Sequence, residues 1–292
     1  MLDETRQRVD ARLAWWAGQL RARRGDAVGD AMAYAIASPG KRVRAALVRA
    51  AHHAAGGTGE AIDEVAAAVE IVHAYSLVHD DLPCMDNDDL RRGRPTTHRA
   101  FSVPVATRAG YLMVPVAVEV LAASAAGLGL TDEQLGRMAA TLLAASGVEG
   151  MVGGQWLDLE AEQRQLELPA LVAVHSGKTG ALIRAACTLG GMAAGAAEPV
   201  AAALAEFGTQ IGLAFQVADD VLDSTSSSAV LGKTAGLDRV RQKSTYVSVL
   251  GVDGARREAR RLADRAVTAL EAARLADSAL VSLARYIVER TS

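Results

Sequence analysis

Aspartates concentrated in two short segments are the residues of this chain best suited to do chemistry. In the first segment, Asp80 and Asp81 follow an apolar stretch with helical spacing, and Asp86 comes shortly after them. Pro83 is expected to end that helix, so that Asp86 returns from a loop. The segment therefore predicts a group of carboxylates at the carboxyl end of an apolar helix.

The second segment places its acidic residues on one face of a helix. Gln216, Asp219, Asp220 and Asp223 have the spacing at which helical side chains share a face, on a helix that is otherwise apolar. Three carboxylates repel one another there, and burying them is costly unless cations neutralise them. Oxygen ligands without thiolates or clustered imidazoles favour Mg²⁺.

Basic residues accompany both segments. Mg²⁺ commonly binds a few carboxylates together with substrate phosphates, so two carboxylate groups that face each other predict a polyphosphate between them. Arginine forks and lysine point charges both suit diphosphate oxygens. The candidates are Lys41, Arg42, Arg44, Arg91, Arg92, Arg94, Lys178, Lys233 and Lys243.

The elements that must position these residues are predicted to be helices. Half of the chain is hydrophobic but only 4% is aromatic, a composition that favours a packed all-α protein over a sandwich or barrel. Helical periodicity is expected over 132–146, 169–176, 178–195, 199–224 and 254–289. No linker stands out, so we expect a single domain over 1–292.

Charge and cysteine content narrow the function classes. The 31 basic and 34 acidic side chains are too balanced for a general nucleic-acid binder. Two cysteines cannot form a disulfide framework, and the amino-terminal residues lack a secretory pattern, so a reduced, cytoplasmic protein is expected. The stretch 111–130 approaches membrane-spanning length, but its alanines, Pro115 and Glu119 favour a buried core helix and no membrane span.

Seven segments together resemble the trans-isoprenyl diphosphate synthases, most closely the bacterial farnesyl diphosphate synthase type. The stretches 73–93 and 215–223 are similar to the two aspartate-rich motifs of that family. Shorter motifs stand in the family's order at 40–44, 153–155, 178–180, 231–233 and 243–246. The resemblance therefore extends over nearly the whole chain.

This resemblance implies a fold, a cofactor and partners. The fold would be one large helical bundle around a deep central cavity, usually in a homodimer. Two aspartate motifs would hold three Mg²⁺ ions on an allylic diphosphate, and the matching metal residues are Asp80, Asp81, Asp86, Asp219, Asp220 and Asp223. The substrates would be isopentenyl diphosphate and an allylic diphosphate.

The resemblance also assigns roles to residues outside the metal motifs. Arg91, Lys178 and Lys233 would bind the allylic diphosphate, whereas Lys41, Arg44, His73 and Arg92 would hold isopentenyl diphosphate. Phe215 and Lys243 are further candidates for substrate binding. Lys178, Thr179 and Gln216 would act catalytically, because oriented dipoles of Thr179, Gln216 and the Lys178 region steady an allyl cation while the isopentenyl double bond attacks it.

Product length would be set below Asp80. In the family a bulky aromatic residue five positions before the first aspartate closes the cavity, and here that residue is Tyr75, with the small Ser76 beside it. Farnesyl diphosphate is therefore the expected product. Geranyl or geranylgeranyl diphosphate synthases, a class I terpene cyclase and a non-catalytic regulatory subunit are the alternatives, and an HD-type phosphohydrolase built on His79 and Asp80 is a weaker one.

Several positions depart from the family pattern. Tyr111 follows Gly110 where relatives usually have an aspartate, and Pro115 lies in the same predicted helix. Asn87 replaces a common aspartate, and Ala45 replaces a common proline. These departures bear on product length and turnover, whereas both aspartate clusters are intact.

Overall fold

The computed structural model describes residues 1–162, 164–225, 244–275 and 278–290. Helices dominate these residues, and the all-α prediction is confirmed. The strands within the described part are β1 (Leu90–Arg91) and β2 (Arg94–Pro95), which pair antiparallel with Leu90 opposite Pro95 and Arg91 opposite Arg94. The chain forms two compact units, which are described in turn.

The first unit consists of Met1–Arg49 and Thr58–Ala140. Its helices are α1 (Leu2–Arg24), α2 (Ala27–Ile36), α4 (Ile62–Asp80), α5 (Thr97–Ala100), α6 (Val103–Ala123) and α7 (Ala125–Leu128). Two further helices, α3 (Val43–Ala54) and α8 (Asp132–Ser146), contribute residues to both units.

Helix α4 carries the first aspartate segment and packs mainly against α6. Small residues make this close packing possible, because Ala66, Ala67 and Ala68 on α4 and Ala106 and Ala109 on α6 are all fully buried. The hydroxyl of Ser102 accepts a hydrogen bond from the N–H of Val105 and fixes the start of α6. The α4–α6 pair is therefore the frame that positions the first aspartates.

The second unit consists of Ala50–Gly57 and Thr141–Ser292. Its helices are α9 (Met151–Glu160), α10 (Leu168–His175), α11 (Ala181–Ala193), α12 (Glu198–Thr225), α13 (Tyr246–Ala272) and α14 (Ser278–Glu289). A π-helical turn over Ser176–Gly180 joins α10 to α11. Such turns interrupt α-helical hydrogen bonding and are frequent at functional sites.

Helix α12 carries the second aspartate segment and packs against α11 and α13. Phe207, Ile211, Ala214 and Val217 on its apolar face are fully buried. A Cβ on Gly212 would lie 2.7 Å from the Cα of Gly180, so the missing side chain lets α12 approach the π-helical turn. The sequence motifs on these two elements are thereby brought next to each other.

Two predicted helix boundaries are wrong. The continuous helix expected over 254–289 is two helices, because α13 ends at Ala272 and Arg274 adopts a left-handed conformation with φ 56°. The N–H of Leu275 then donates to the carbonyl of Leu270, which closes the helix end. The stretch 111–130 is also divided, since α6 ends at Ala123 and α7 follows.

Among the helices that the structure describes, two are long and apolar enough to cross a membrane by length and composition, namely α6 and α12. In each, 44% of the most apolar window is buried within the protein. Core helices of proteins without any membrane segment pass the same test, so the length and composition of α6 and α12 do not show that either helix crosses a membrane.

Candidate active site

The carboxylates of the first aspartate segment lie where α4 ends. Asp81 follows the last residue of the helix and is only 3% exposed. The loop after Pro83 brings Asp86 back, and its N–H donates a hydrogen bond of 2.8 Å to the carbonyl of Asp80. The predicted helix end and returning loop are both confirmed.

Arg91 pairs with the most buried of these aspartates. Its guanidinium lies 2.7 Å and 2.6 Å, through Nε and Nη2, from Oδ1 of Asp81. Burial raises the pKa of Asp81, and the hydrogen bond and charge of Arg91 oppose that shift. This ion pair keeps the guanidinium of Arg91 next to the carboxylates of the first aspartate segment.

His73 lies in a strongly positive environment in the first unit. Burial lowers its pKa well below the ordinary value, and the positive charges of Arg44, Arg92, Arg91 and Arg42 lower it further. The imidazole is therefore neutral at pH 7. The arginines predicted to bind diphosphate are thus brought together around the histidine predicted to act with them, whereas Lys41 lies exposed nearby in sequence.

Gly40 allows two arginines to approach the loop that precedes α3. A Cβ at this position would lie 3.0 Å from Nη1 of Arg92 and 3.2 Å from Nη1 of Arg42. Arg92 also donates to the carbonyl of Pro39. The glycine of the segment 40–44 therefore lets both guanidinium groups approach the backbone closely.

Arg42 holds this loop, a role that the sequence did not reveal. Its buried guanidinium donates to Asp10 at 2.7 Å, to Glu70 at 3.1 Å and to the carbonyl of Ser38 at 2.7 Å. Its backbone is left-handed, with φ 54°. The acidic residues Asp10 on α1 and Glu70 on α4 are visible in the sequence, but only the fold shows that both pair with Arg42.

In the second unit a chain of hydrogen bonds fixes the polar face of α12. The hydroxyl of Thr179 donates to Oε1 of Gln216 at 2.9 Å, and Nε2 of Gln216 donates to Oδ1 of Asp220 at 2.9 Å. The other oxygen of Asp220 accepts from the N–H of Tyr246 at 2.7 Å. The orientation of the Gln216 amide is thereby determined.

The start of α13 is built to supply that last hydrogen bond. Thr245 and Ser248 form a reciprocal capping box, in which each hydroxyl accepts from the other's backbone N–H. The cap leaves the N–H of Tyr246 directed at Asp220, which is 4% exposed. The motif at 243–246 therefore supports an aspartate of the other motif.

Lys178 lies on the π-helical turn and is paired with a carboxylate. Its Nζ donates to Oδ2 of Asp158 on α9 at 2.6 Å. A Cβ on Gly154 would overlap the backbone of Gly177 and Lys178, so α9 and the turn are in direct backbone contact. This contact places the lysine, and Asp158 is a partner that the sequence analysis missed.

Arg290 is a second residue that sequence reasoning missed. Its Nη2 lies 2.5 Å from Oδ1 of Asp219, and its side chain is only 3% exposed. The guanidinium carbon lies 3.9 Å from the ring centre of Phe215. The accessible aspartate of α12 and the predicted substrate-binding phenylalanine are therefore both held by one arginine, which directly follows α14.

Replacing Arg290 by alanine is expected to lower both stability and turnover. Loss of the stacked and paired guanidinium should reduce the free energy of unfolding by about 1–2 kcal/mol, because Asp219 is partly solvated. Loss of the group that orients Asp219 should lower kcat roughly tenfold. Urea titration measures the change in stability, and steady-state kinetics measure the change in kcat. The Arg290→Lys variant keeps the charge but not the planar guanidinium, so its stability and kcat should lie between those of the wild type and of Arg290→Ala.

The residues predicted to set product length lie near the carboxyl end of α4. Tyr75 is partly buried, and its ring centre lies 4.9 Å from that of His79 in an edge-on arrangement. Ser76 is 9% exposed and donates to the carbonyl of His73 at 2.8 Å. The structure thus places a ring contact beside Tyr75 that the sequence analysis did not consider.

Two predicted substrate-binding residues, Lys233 and Lys243, lie outside the described residues. All the other predicted site residues lie in the described part, in two groups. The first unit holds Lys41, Arg44, His73, Tyr75, Ser76, Asp80, Asp81, Asp86, Arg91 and Arg92, and the second holds Lys178, Thr179, Phe215, Gln216, Asp219, Asp220 and Asp223.

The donor chemistry of both groups fits Mg²⁺. Within the described residues, no three His, Cys, Asp or Glu side chains close into a complete metal site. Mg²⁺ does not need such a cage, since it binds one or two carboxylates and takes its other ligands from phosphate and water. The HD-type alternative is disfavoured, because Nε2 of His79 lies 3.3 Å from the carbonyl of Thr107 on α6.

A family model and known proteins match the chain over most of its length. The model of the polyprenyl synthetase family matches residues 26–280. The chain belongs to this family. Farnesyl diphosphate synthase of Escherichia coli strain K12 is 46% identical over 272 residues, covering 90% of this chain and 89% of that protein. The polyprenyl synthetase match spans both aspartate segments.

Solved structures of this family share the fold. An FPP/GFPP synthase from Zymomonas mobilis, in an apo structure, matches with a TM-score of 0.84 and 35% identity, covering 98% of this chain and 97% of that one. A geranyltransferase from Helicobacter pylori, complexed with magnesium and isoprenyl diphosphate, matches with a TM-score of 0.78 and 31% identity. The latter match covers 89% of this chain and 86% of that one.

Proposed function

We propose that this polyprenyl synthetase family member is a Mg²⁺-dependent prenyltransferase. It condenses isopentenyl diphosphate with dimethylallyl or geranyl diphosphate, and its main product is farnesyl diphosphate. The observation that carries the proposal is the presence of two complete aspartate segments, each ordered by its own hydrogen-bond partners. The 46% identity to a farnesyl diphosphate synthase supports the product.

The two aspartate segments bind the allylic diphosphate through Mg²⁺. The ligands that the family resemblance implies are Asp80, Asp81, Asp86, Asp219, Asp220 and Asp223. Magnesium bound by these carboxylates, about three ions per site as the family resemblance implies, would supply positive charge that stabilises the departing diphosphate. Arg91, Lys178 and Lys233 add cationic donors to the same oxygens.

Isopentenyl diphosphate binds in the arginine-rich part of the first unit. Lys41, Arg44 and Arg92 neutralise its diphosphate, and Arg42 keeps their loop in place through Asp10 and Glu70. The neutral imidazole of His73 donates one hydrogen bond without adding to the charge repulsion among the arginines. The positive charges of Arg44, Arg92, Arg91 and Arg42 around His73 attract the incoming diphosphate.

The dipoles of the second unit stabilise the cation that forms when the allylic C–O bond breaks. The Thr179 hydroxyl and the Gln216 amide are held by hydrogen bonds to each other and to Asp220, so little reorganisation is needed during reaction. Phe215 and Lys243 complete the substrate contacts. No protein nucleophile is needed, because the isopentenyl double bond attacks the cation and a proton then leaves.

The product is limited by the face of α4 that precedes Asp80. One helical turn advances about 5.4 Å, which is roughly one isoprene unit. Tyr75 lies about 7.5 Å before Asp80 along the helix and blocks further growth, with Ser76 leaving room beside it. Geranylgeranyl diphosphate becomes the product where this aromatic block is removed.

We also propose that 1–292 is one synthase domain, because a single family model crosses both units. Within it α6 and α12 are core helices and do not span a membrane, and the family resemblance implies a deep central cavity. The protein acts in the cytoplasm as a homodimer, as the family resemblance implies. It has no nucleic-acid partner, since its formal net charge is −3.

Incubation of the pure protein with Mg²⁺, isopentenyl diphosphate and either dimethylallyl or geranyl diphosphate tests the proposal. Elongated prenyl diphosphates, detected by mass spectrometry, are the expected products, and chelation of the metal with EDTA should abolish them. Release of a hydrocarbon would identify a terpene cyclase. Absence of any product with both starters would instead favour a non-catalytic subunit.

A further inference from the structure

Three aromatic rings form a row on the α4–α6 face of the first unit. His79 stands between the other two, with its ring centre 4.9 Å from that of Tyr75 and 5.6 Å from that of Tyr111. The planes cross at 70° and 89°, so both contacts are edge-on. Edge-on pairs of this kind are the favoured geometry for aromatic rings.

The backbone of α6 fixes the middle ring of this row. A Cβ on Gly110 would overlap the His79 ring, so the missing side chain provides the space in which the imidazole sits. The carbonyl of Thr107, 3.3 Å from Nε2, holds the ring from the same helix. The space at Gly110 and the contact with Thr107 therefore place the His79 ring beside Tyr111.

Tyr111 is the outer ring and is oriented by its own helix. It is 67% exposed, so burial in the core does not explain its position. Pro115 lies inside α6 four residues later, where it has no N–H to bond the carbonyl of Tyr111. The turn of α6 that carries Tyr111 therefore lacks one backbone hydrogen bond. The ring contact with His79 restrains Tyr111 in its place.

We propose that Tyr111 is a positioning residue for product length, acting through His79 on Tyr75. This inference rests on the proposed prenyltransferase function. A tyrosine on a helix has two accessible χ1 rotamers, and a ring packed beside it selects one of them. Tyr111 keeps His79 against Tyr75, and His79 keeps the phenol in the rotamer that blocks the growing chain.

The strength of a single edge-on contact sets the size of the expected effect. Loss of such a contact changes the ratio of two rotamers roughly twofold to tenfold. The Tyr111→Ala variant should therefore raise the share of products longer than farnesyl diphosphate by a similar factor. Turnover of the first condensation should change little, because the ring contact of Tyr111 is with the imidazole of His79 and not with an aspartate carboxylate.

Product distributions with dimethylallyl diphosphate and excess isopentenyl diphosphate test the inference. Tyr111→Phe keeps the ring and should reproduce the wild-type distribution, whereas Tyr111→Leu keeps bulk without a ring and should resemble Tyr111→Ala. Thermal unfolding of each variant establishes that it is folded. Wild-type product lengths from both Tyr111→Ala and Tyr111→Leu would overturn the inference.

A double variant of Tyr75 and Tyr111 distinguishes whether Tyr111 affects product length through Tyr75 or by another route. Tyr75→Ala should lengthen the product by itself, and adding Tyr111→Ala should then change nothing further. Additional lengthening in the double variant would show that Tyr111 acts by another route, which also overturns the proposal. Failure of the wild-type protein to elongate any starter would instead refute the proposed function, so the two failures are distinguishable.

Discussion

Asp219→Ala is expected to lower kcat on the order of 100- to 1,000-fold in a protein that still folds but is less stable, because the buried guanidinium of Arg290 loses its carboxylate partner. Asp219 is the most accessible of the three aspartates on α12, with a side chain that is 46% exposed, so its removal creates no cavity. What is lost is a carboxylate that binds magnesium and, through it, the departing diphosphate. Steady-state kinetics at saturating Mg²⁺ measure the effect.

Two comparison variants sharpen this test. Asp253→Ala removes an aspartate of the same unit whose side chain is 85% exposed, and it should leave kcat unchanged. Asp220→Ala should lower activity and also destabilise the protein by about 1–3 kcal/mol, because the N–H of Tyr246 loses its acceptor. Near-normal turnover of Asp219→Ala would refute the metal assignment.

Gly154→Ala is expected to destabilise the protein by about 3 kcal/mol or more. The added methyl group would overlap the backbone of the π-helical turn at Gly177 and Lys178, and backbone cannot move aside as a flexible side chain can. Denaturant unfolding measures the change in the free energy of unfolding. Any folded fraction should also have weak activity, because Lys178 is displaced from Asp158.

Gly18 on α1 provides the matched control for Gly154. It is also a helical glycine, but a Cβ there would meet nothing within 4 Å. Gly18→Ala should therefore stabilise the protein by about 0.5–1 kcal/mol through helix propensity alone. Equal stabilities of the two variants would show that α9 can withdraw from the turn without cost.

The fold class and much of the local geometry followed from patterns within the sequence. Helical spacing placed the acidic face of α12, and Pro83 marked the end of α4, because both depend on residues close together in the chain. The break after Ala272 was missed because a left-handed arginine, Arg274, ends the helix where glycine is the usual signal.

The partners of the site residues were much less predictable. Arg290 reaches Asp219 from 71 positions away, and no periodicity or motif connects the two. Arg42 stood within a recognised basic segment, yet its partners Asp10 and Glu70 lie on other helices. Long-range ion pairs depend on how helices pack, and a single sequence records that packing only indirectly.

The hydrogen bonds that link Thr179, Gln216, Asp220 and the backbone of Tyr246 have a consequence for directed evolution. The hydrogen-bonding pattern of each residue in this chain is set by its neighbour in the chain. A library randomised at only one of these positions therefore offers few tolerated replacements. A glutamate at position 216, for instance, would present an acceptor to Asp220 where a donor is required. New chemistry on this scaffold therefore calls for simultaneous replacement of neighbouring pairs.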